Sequence, residues 1–172
     1  LGDVYKRQMK NRVAYFGVFT ALALMFSYIE TMIPIQFGVP GIKLGFANIM
    51  IVIMLYKSSA KEALLLSIVR IMLSGFLFGN LSSILYSIAG GVLSLGIMTL
   101  LKKQGGFSVI GVSVAGGVSH NVGQLIVAML VVETYQVGYY LPVLLVAGVL
   151  TGLGIGVVSQ EVLKRIRNIC FE

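Results

Sequence analysis

An all-α integral membrane protein with six transmembrane helices is the fold class this sequence predicts, and three observations carry the prediction. Hydrophobic residues make up 58% of the 172, charged residues 11%, and the mean hydropathy is +0.97, which exceeds what a single soluble core needs to bury. The apolar residues fall into runs separated by glycine, charge or polar clusters, near 13–34, 44–56, 63–78, 81–101, 108–132 and 139–163. Finally, nine basic residues fall on one side of the alternating topology those runs imply: Lys10, Arg12, Lys57, Lys61, Lys102, Lys103, Lys164, Arg165 and Arg167. By the positive-inside rule that side is the cytoplasm. Both termini are then cytoplasmic, the chain is a multi-pass protein of the cell membrane, and topology rather than nucleic-acid binding accounts for the net charge of +7.

Ahead of the first run, Asp3 to Gln8 (DVYKRQ) matches the translation of a sequencing-library transposase adapter. Residues 1–8 are therefore expected to be a processing scar, with the natural start at Met9 and a single transmembrane domain over 9–172. The first apolar run is too long for a signal-peptide h-region and lacks a clear small-residue cleavage site. Within it Thr20, Ser27 and Thr31 align on one face with Glu30 near the outer end, while Gly17 and Ala21 form a small-xxx-small step.

The second run is short. As a helix, 44–56 would cover about 20 Å of a hydrocarbon core roughly 30 Å thick. The preceding loop, PIQFGVPGIKLGFAN, carries Pro34, Gly38, Pro40, Gly41 and Gly45 and could dip back into the bundle to fill the rest, as irregular backbone does when it lines a cavity. That re-entrant or capping loop would put Lys43 at a cavity mouth and Asn48 just inside it. A surface turn with a snorkelling lysine is the alternative.

In the third run Arg70 lies at mid-membrane between Ser67 and Ser74. A guanidinium there needs a partner, either Glu30, the one embedded acid, or an anionic ligand. The fourth run aligns Ser83, Ser87, Gly90 and Ser94, with Tyr86 beside them. The fifth contains GVSVAGGVSHNVGQ, in which Ser113, Gly117, the chain's single histidine His120 and Gln124 share a helical face, with Asn121 adjacent. A polar stripe at membrane depth reads as a site, or as an interhelical hydrogen-bond cluster. The sixth run has two consecutive GxxxG steps, Gly148, Gly152 and Gly156, suited to close packing inside the monomer or to docking a membrane partner.

Some chemistry is excluded. No G-x-x-x-x-G-K-[ST] stretch is present, so nucleotide hydrolysis would need a partner. One histidine, one cysteine (Cys170) and no aspartate beyond Asp3 leave no set of metal ligands, and neither a Ser-His-acid set nor a close carboxylate pair can be assembled.

PGIKLGFAN (Pro40 to Asn48), the Arg70 segment, LYSIAGG (Leu85 to Gly91) and GVSVAGGVSHNVGQL (Gly111 to Leu125) resemble the Gx transporter family, labelled heptaprenyl diphosphate synthase component I. That family is similar to the substrate-binding S components of energy-coupling-factor (ECF) transporters, which are six-helix membrane proteins. The resemblance implies ligand capture beneath the loop between the first two helices, with a transmembrane T subunit and two cytoplasmic ATPases supplying the power stroke. It also implies a docking step on the first helix, where the Ala-xxx-Ala pattern of S components is here Gly17 to Ala21. Prenyl diphosphate synthases hold magnesium and diphosphate with aspartate-rich motifs, which this chain lacks, so the synthase label points to a non-catalytic helper.

Three functions follow. The first is the capture subunit of an ECF-type importer for a small anionic or vitamin-like solute, with Lys43, Asn48, Tyr86, His120, Asn121 and Gln124 around the substrate and no cofactor. The second is an accessory, non-catalytic membrane component of prenyl diphosphate or quinone biosynthesis. The third is a stand-alone carrier coupled to protons through Glu30 or His120.

Overall fold

The computed structural model describes residues 2–32, 45–133 and 135–166. Among them are six α-helices: α1 (Gly2–Met32), α2 (Asn48–Lys57), α3 (Ala60–Phe78), α4 (Leu81–Gln104), α5 (Val109–Val132) and α6 (Leu141–Arg165), with a 3-10 turn at Tyr135–Tyr140 before the last. The chain is an all-α membrane protein. Four helical segments are long and apolar enough to cross a bilayer: Arg12–Met32, Leu81–Gln104, Val109–Val131 and Gly138–Arg165. In α3 the charges Lys61, Glu62 and Arg70 lower the hydropathy of a helix whose 19 residues span about 28 Å. The expected shortness of the second run is real, since α2 has 10 residues.

Local chemistry sets the helix ends. Ser59 caps α3 by accepting from the Glu62 amide at 3.2 Å, in a Ser-x-x-Glu pattern that suits a capping box. Asn80 accepts from the Ser83 amide at 2.8 Å to start α4, and Ser108 from the Gly111 amide at 3.1 Å to start α5. Gly105 ends α4 in the left-handed region at φ 72°, where a glycine avoids the Cβ clash.

α2 is apolar all round, and every residue from Ile49 to Leu55 is buried. A helix of that kind belongs in the middle of a bundle. Around it pack Ala23 of α1, Ala63 and Leu66 of α3, Leu95 and Met98 of α4, Val112 of α5 and Ile155 of α6. At its C-terminal end the Lys102 ammonium donates to the Leu55 carbonyl at 2.5 Å and lies 5.1 Å from the centre of the Tyr56 ring. This contact brings the basic C-terminal ends of α2 and α4 together, as the charge pattern requires.

Glycine sets the spacing of α4, α5 and α6. A Cβ on Gly117 would stand 2.5 Å from the Gly148 carbonyl oxygen, one on Gly152 2.7 Å from Val114 Cα, and one on Gly156 2.8 Å from Ile110 Cα. The GxxxG face of α6 therefore packs on α5 within the monomer, so the first of its two expected uses is the one observed. Between α4 and α5, a Cβ on Gly123 would lie 3.0 Å from both the Ala89 carbonyl oxygen and Gly90 Cα. By contrast Gly17 and Ala21 are exposed on α1, and a Cβ on Gly17 would meet nothing within 4 Å.

Gly117→Val should force α5 from α6 and destabilise the fold by about 1–3 kcal/mol. Gly154→Val, where an added Cβ meets nothing within 4 Å, should leave it intact. Thermal unfolding in detergent would show a lowered midpoint for the first variant only.

Candidate functional site

The site begins at a turn. Gly45 adopts φ 79°, a conformation that L side chains rarely take, and its carbonyl accepts from the Asn48 amide at 2.8 Å. The Gly45 amide donates to the Glu30 carboxylate at the end of α1, so Glu30 fixes the point at which the chain enters α2. That placement aims Asn48, the first residue of α2, at α3. There its Oδ1 accepts from Arg70 Nη2 at 3.3 Å.

Arg70 is 8% exposed, and its Nε is buried with no hydrogen-bond partner among the described residues. Glu30, also 8% exposed, is its electrostatic counter-charge. A buried ionised group depends on such partners, because desolvation costs several kcal/mol per ion. These residues form one wall of a polar chamber. The other wall is Ser87 of α4, Gly117, His120, Asn121 and Gln124 of α5, and Thr151 and Ile155 of α6. The chamber's volume is about 30 Å³, room for about one water molecule. It lies in the half of the bundle away from the basic end, at the start of α2.

The structure thus gathers Glu30, Asn48, Arg70, His120, Asn121 and Gln124, which the sequence scatters over four helices. Close α4–α5 packing makes this arrangement possible, since a Cβ on Gly90 would lie 2.8 Å from the His120 carbonyl oxygen and 2.9 Å from Gln124 Cγ. Asn121 also has a structural bond, donating from Nδ2 to the Leu144 carbonyl at 2.8 Å and so tying α5 to α6.

Other candidates sit elsewhere. Tyr86 is half-buried and is not part of the chamber wall, which takes the next residue, Ser87. Tyr86 and Ser87 point about 100° apart on α4, and the serine is the one on the wall. Ser113 is buried against Gly156 of α6 rather than in the chamber. Thr20, Thr31 and Ser74 donate to the carbonyls of Phe16, Tyr28 and Ile71 on their own helices, as hydroxyls in apolar helices commonly do. Lys43 and most of the loop expected to be re-entrant, including Pro34 and Pro40, lie outside the described residues.

Gly45, Thr151 and Ile155 were not singled out as site residues from sequence. Gly45 belonged to a loop rich in glycine, Thr151 lay within the small-residue stretch of α6, and nothing distinguishes Ile155 from other apolar positions.

A second cavity abuts the chamber. It is an apolar groove of about 350 Å³ between the start of α2 and the middle of α6, lined by Phe46, Ile49, Ala147, Leu150, Thr151, Gly154, Ile155 and Val158. Thr151 and Ile155 belong to both walls.

The family profile described as Heptaprenyl diphosphate synthase component I matches residues 19–162, which include every described residue of the chamber. The chain belongs to this family. The family's description names a component of a synthase and so implies a partner component. No curated protein and no solved structure matches the chain.

Asn121→Ala should cost about 0.6–2 kcal/mol of stability, the usual worth of an interhelical hydrogen bond in a membrane protein. Gln124→Ala should cost less. Unfolding midpoints of the two variants, measured side by side, check the distinction between tie and chamber lining.

Proposed function

We propose that this chain is the non-catalytic membrane component of a prenyl diphosphate-synthesising system, and that its polar chamber receives the anionic group of a ligand. The observation that carries the reading is the buried Arg70, whose Nε has no hydrogen-bond partner among the described residues and which faces the chamber beside Asn48, His120, Asn121 and Gln124. The family's description supplies the biosynthetic context.

The chemistry follows from charge. Glu30 balances Arg70 electrostatically, but its carboxylate already accepts from the Gly45 amide, and the guanidinium retains an unused donor. An incoming carboxylate or phosphate oxygen gains a charge-assisted hydrogen bond there, in a low-dielectric setting that strengthens it. Asn48, His120 and Gln124 add hydrogen-bonding groups, and the charge of Lys43, two residues before Gly45 in sequence, favours an anionic ligand. With the basic end in the cytoplasm, the chamber opens toward the outer half of the cell membrane.

A second reading is favoured by the exposed Gly17 and Ala21 on α1. There the same chamber captures a small anionic or vitamin-like solute, and the small-residue step docks a T subunit driven by two ATPases. A proton-coupled carrier would instead use Glu30 or His120 as its relay.

Native mass spectrometry of the detergent-extracted protein from its own host tests the shared claim. The parent should retain an anionic small molecule, and Arg70→Gln should lose at least nine-tenths of it. A parent without any anion would overturn the reading. Copurification of a soluble synthase subunit supports the biosynthetic role. Uptake into vesicles that requires a T subunit and ATPases, with no synthase bound, supports the importer instead.

A further inference from the structure

The apolar groove and the polar chamber are two compartments of one site. They share Thr151 and Ile155, so this pair is the partition between them. Thr151 donates its hydroxyl to the Ala147 carbonyl of its own helix at 2.9 Å. On the groove side stand Phe46, Ile49, Leu150 and Val158, without a charged group. On the chamber side stand Glu30, Asn48 and Arg70.

The two volumes are unequal. At about 30 Å³ the chamber admits little more than one water-sized group, while the groove at about 350 Å³ falls within the range of small-ligand sites. A wholly polar solute would fill the chamber and leave the groove unused. A ligand with an anionic head and a single apolar chain matches both. Leu150 is 64% exposed and Val158 46% on the lipid-facing side of α6, so the groove is open laterally to the bilayer. Gly154 lies on the groove wall, and a Cβ built there meets nothing within 4 Å, so space continues along the helix surface.

We infer that the ligand is a prenyl diphosphate taken sideways from the membrane, its chain lying in the groove between α2 and α6 and its diphosphate reaching Arg70 past Thr151 and Ile155. The inference rests on the proposed accessory role for the choice of a prenyl chain. The joined groove and chamber require only that head and tail bind together. A diphosphate is larger than the chamber as it stands, so its head enters as the long Asn48–Arg70 contact at 3.3 Å gives way to it.

The test uses the full chain in phosphatidylcholine nanodiscs, with binding of four probes followed by titration: farnesyl diphosphate, inorganic diphosphate, farnesol and dodecyl phosphate. Farnesyl diphosphate should bind at least tenfold more tightly than either part alone. Two groove-filling variants, Gly154→Leu and Leu150→Trp, should each weaken farnesyl diphosphate at least tenfold, and Arg70→Gln should do so as well. Both groove positions lie on the open lipid-facing side, and unchanged unfolding midpoints would show that the variants fold. Inorganic diphosphate that binds as tightly as farnesyl diphosphate, with no effect of filling the groove, would overturn the inference while leaving the anion-binding role of Arg70 standing. Farnesol binding as tightly as the diphosphate, unaffected by Arg70→Gln, would overturn both. Dodecyl phosphate binding as well as the prenyl probe would remove the assignment of a prenyl chain.

Discussion

Arg70 sits in the middle of an apolar bundle, and its charge constrains much of what surrounds it. A guanidinium in that setting is tolerated only with a counter-charge and hydrogen-bond acceptors close by. Glu30 supplies the charge and Asn48 an acceptor, at 3.3 Å from Nη2. Neither is placed by its own helix alone. Glu30 accepts from the amide of Gly45, the turn at Gly45 starts α2, and the start of α2 carries Asn48. One buried cation thus links the end of α1, the start of α2 and the centre of α3.

The central helix completes that arrangement. α2 is buried on all sides, so its short length does not expose unpaired backbone to lipid at its basic end, where the Leu55 carbonyl accepts from Lys102. At its other end the Gly45 turn borders the chamber, and that is where non-helical backbone is permitted at membrane depth. The short second run and the glycine at its start, Gly45, are therefore two signs of one constraint.

Much of this was legible in the sequence, and the physical reasons separate what was from what was not. The helix order followed from hydropathy and basic residues, because both are summed over many positions. Glu30, Asn48, Arg70, His120, Asn121 and Gln124 stood out because a polar group in an apolar run is costly wherever it points. Direction was harder. Tyr86 and Ser87 are adjacent, and the sequence favoured the larger polar side chain where the structure turns the serine to the chamber. Ile155 could not be found at all, since an apolar residue in an apolar helix carries no mark of the cavity it borders. Asn121 shows a third case: the residue was identified, but its Nδ2 is committed to the Leu144 carbonyl, a partner 23 residues away that only the fold brings near.

The two sides of the chamber are held together by different physics. α4, α5 and α6 meet through glycines whose missing Cβ atoms let backbones touch, as at Gly117 against Gly148 and Gly123 against Ala89 and Gly90. Packing of that kind has little slack, because any separation forfeits many dispersion contacts at once. On the other side, Glu30, Asn48 and Arg70 are joined by a few directional polar contacts, including one at 3.3 Å, which is long for a hydrogen bond to a cation. A new acceptor reaching Arg70 can replace such a contact without opening the apolar core behind it. His120 and Gln124 stand on the glycine-packed wall and offer fixed groups, whereas Arg70 and Asn48 stand on the wall whose bonds can be exchanged. The chamber thus combines a rigid half that sets geometry with a polar half that can re-pair. On the proposed reading, this division is what would let a space of about 30 Å³ admit a larger anionic group while the six-helix frame stays closed.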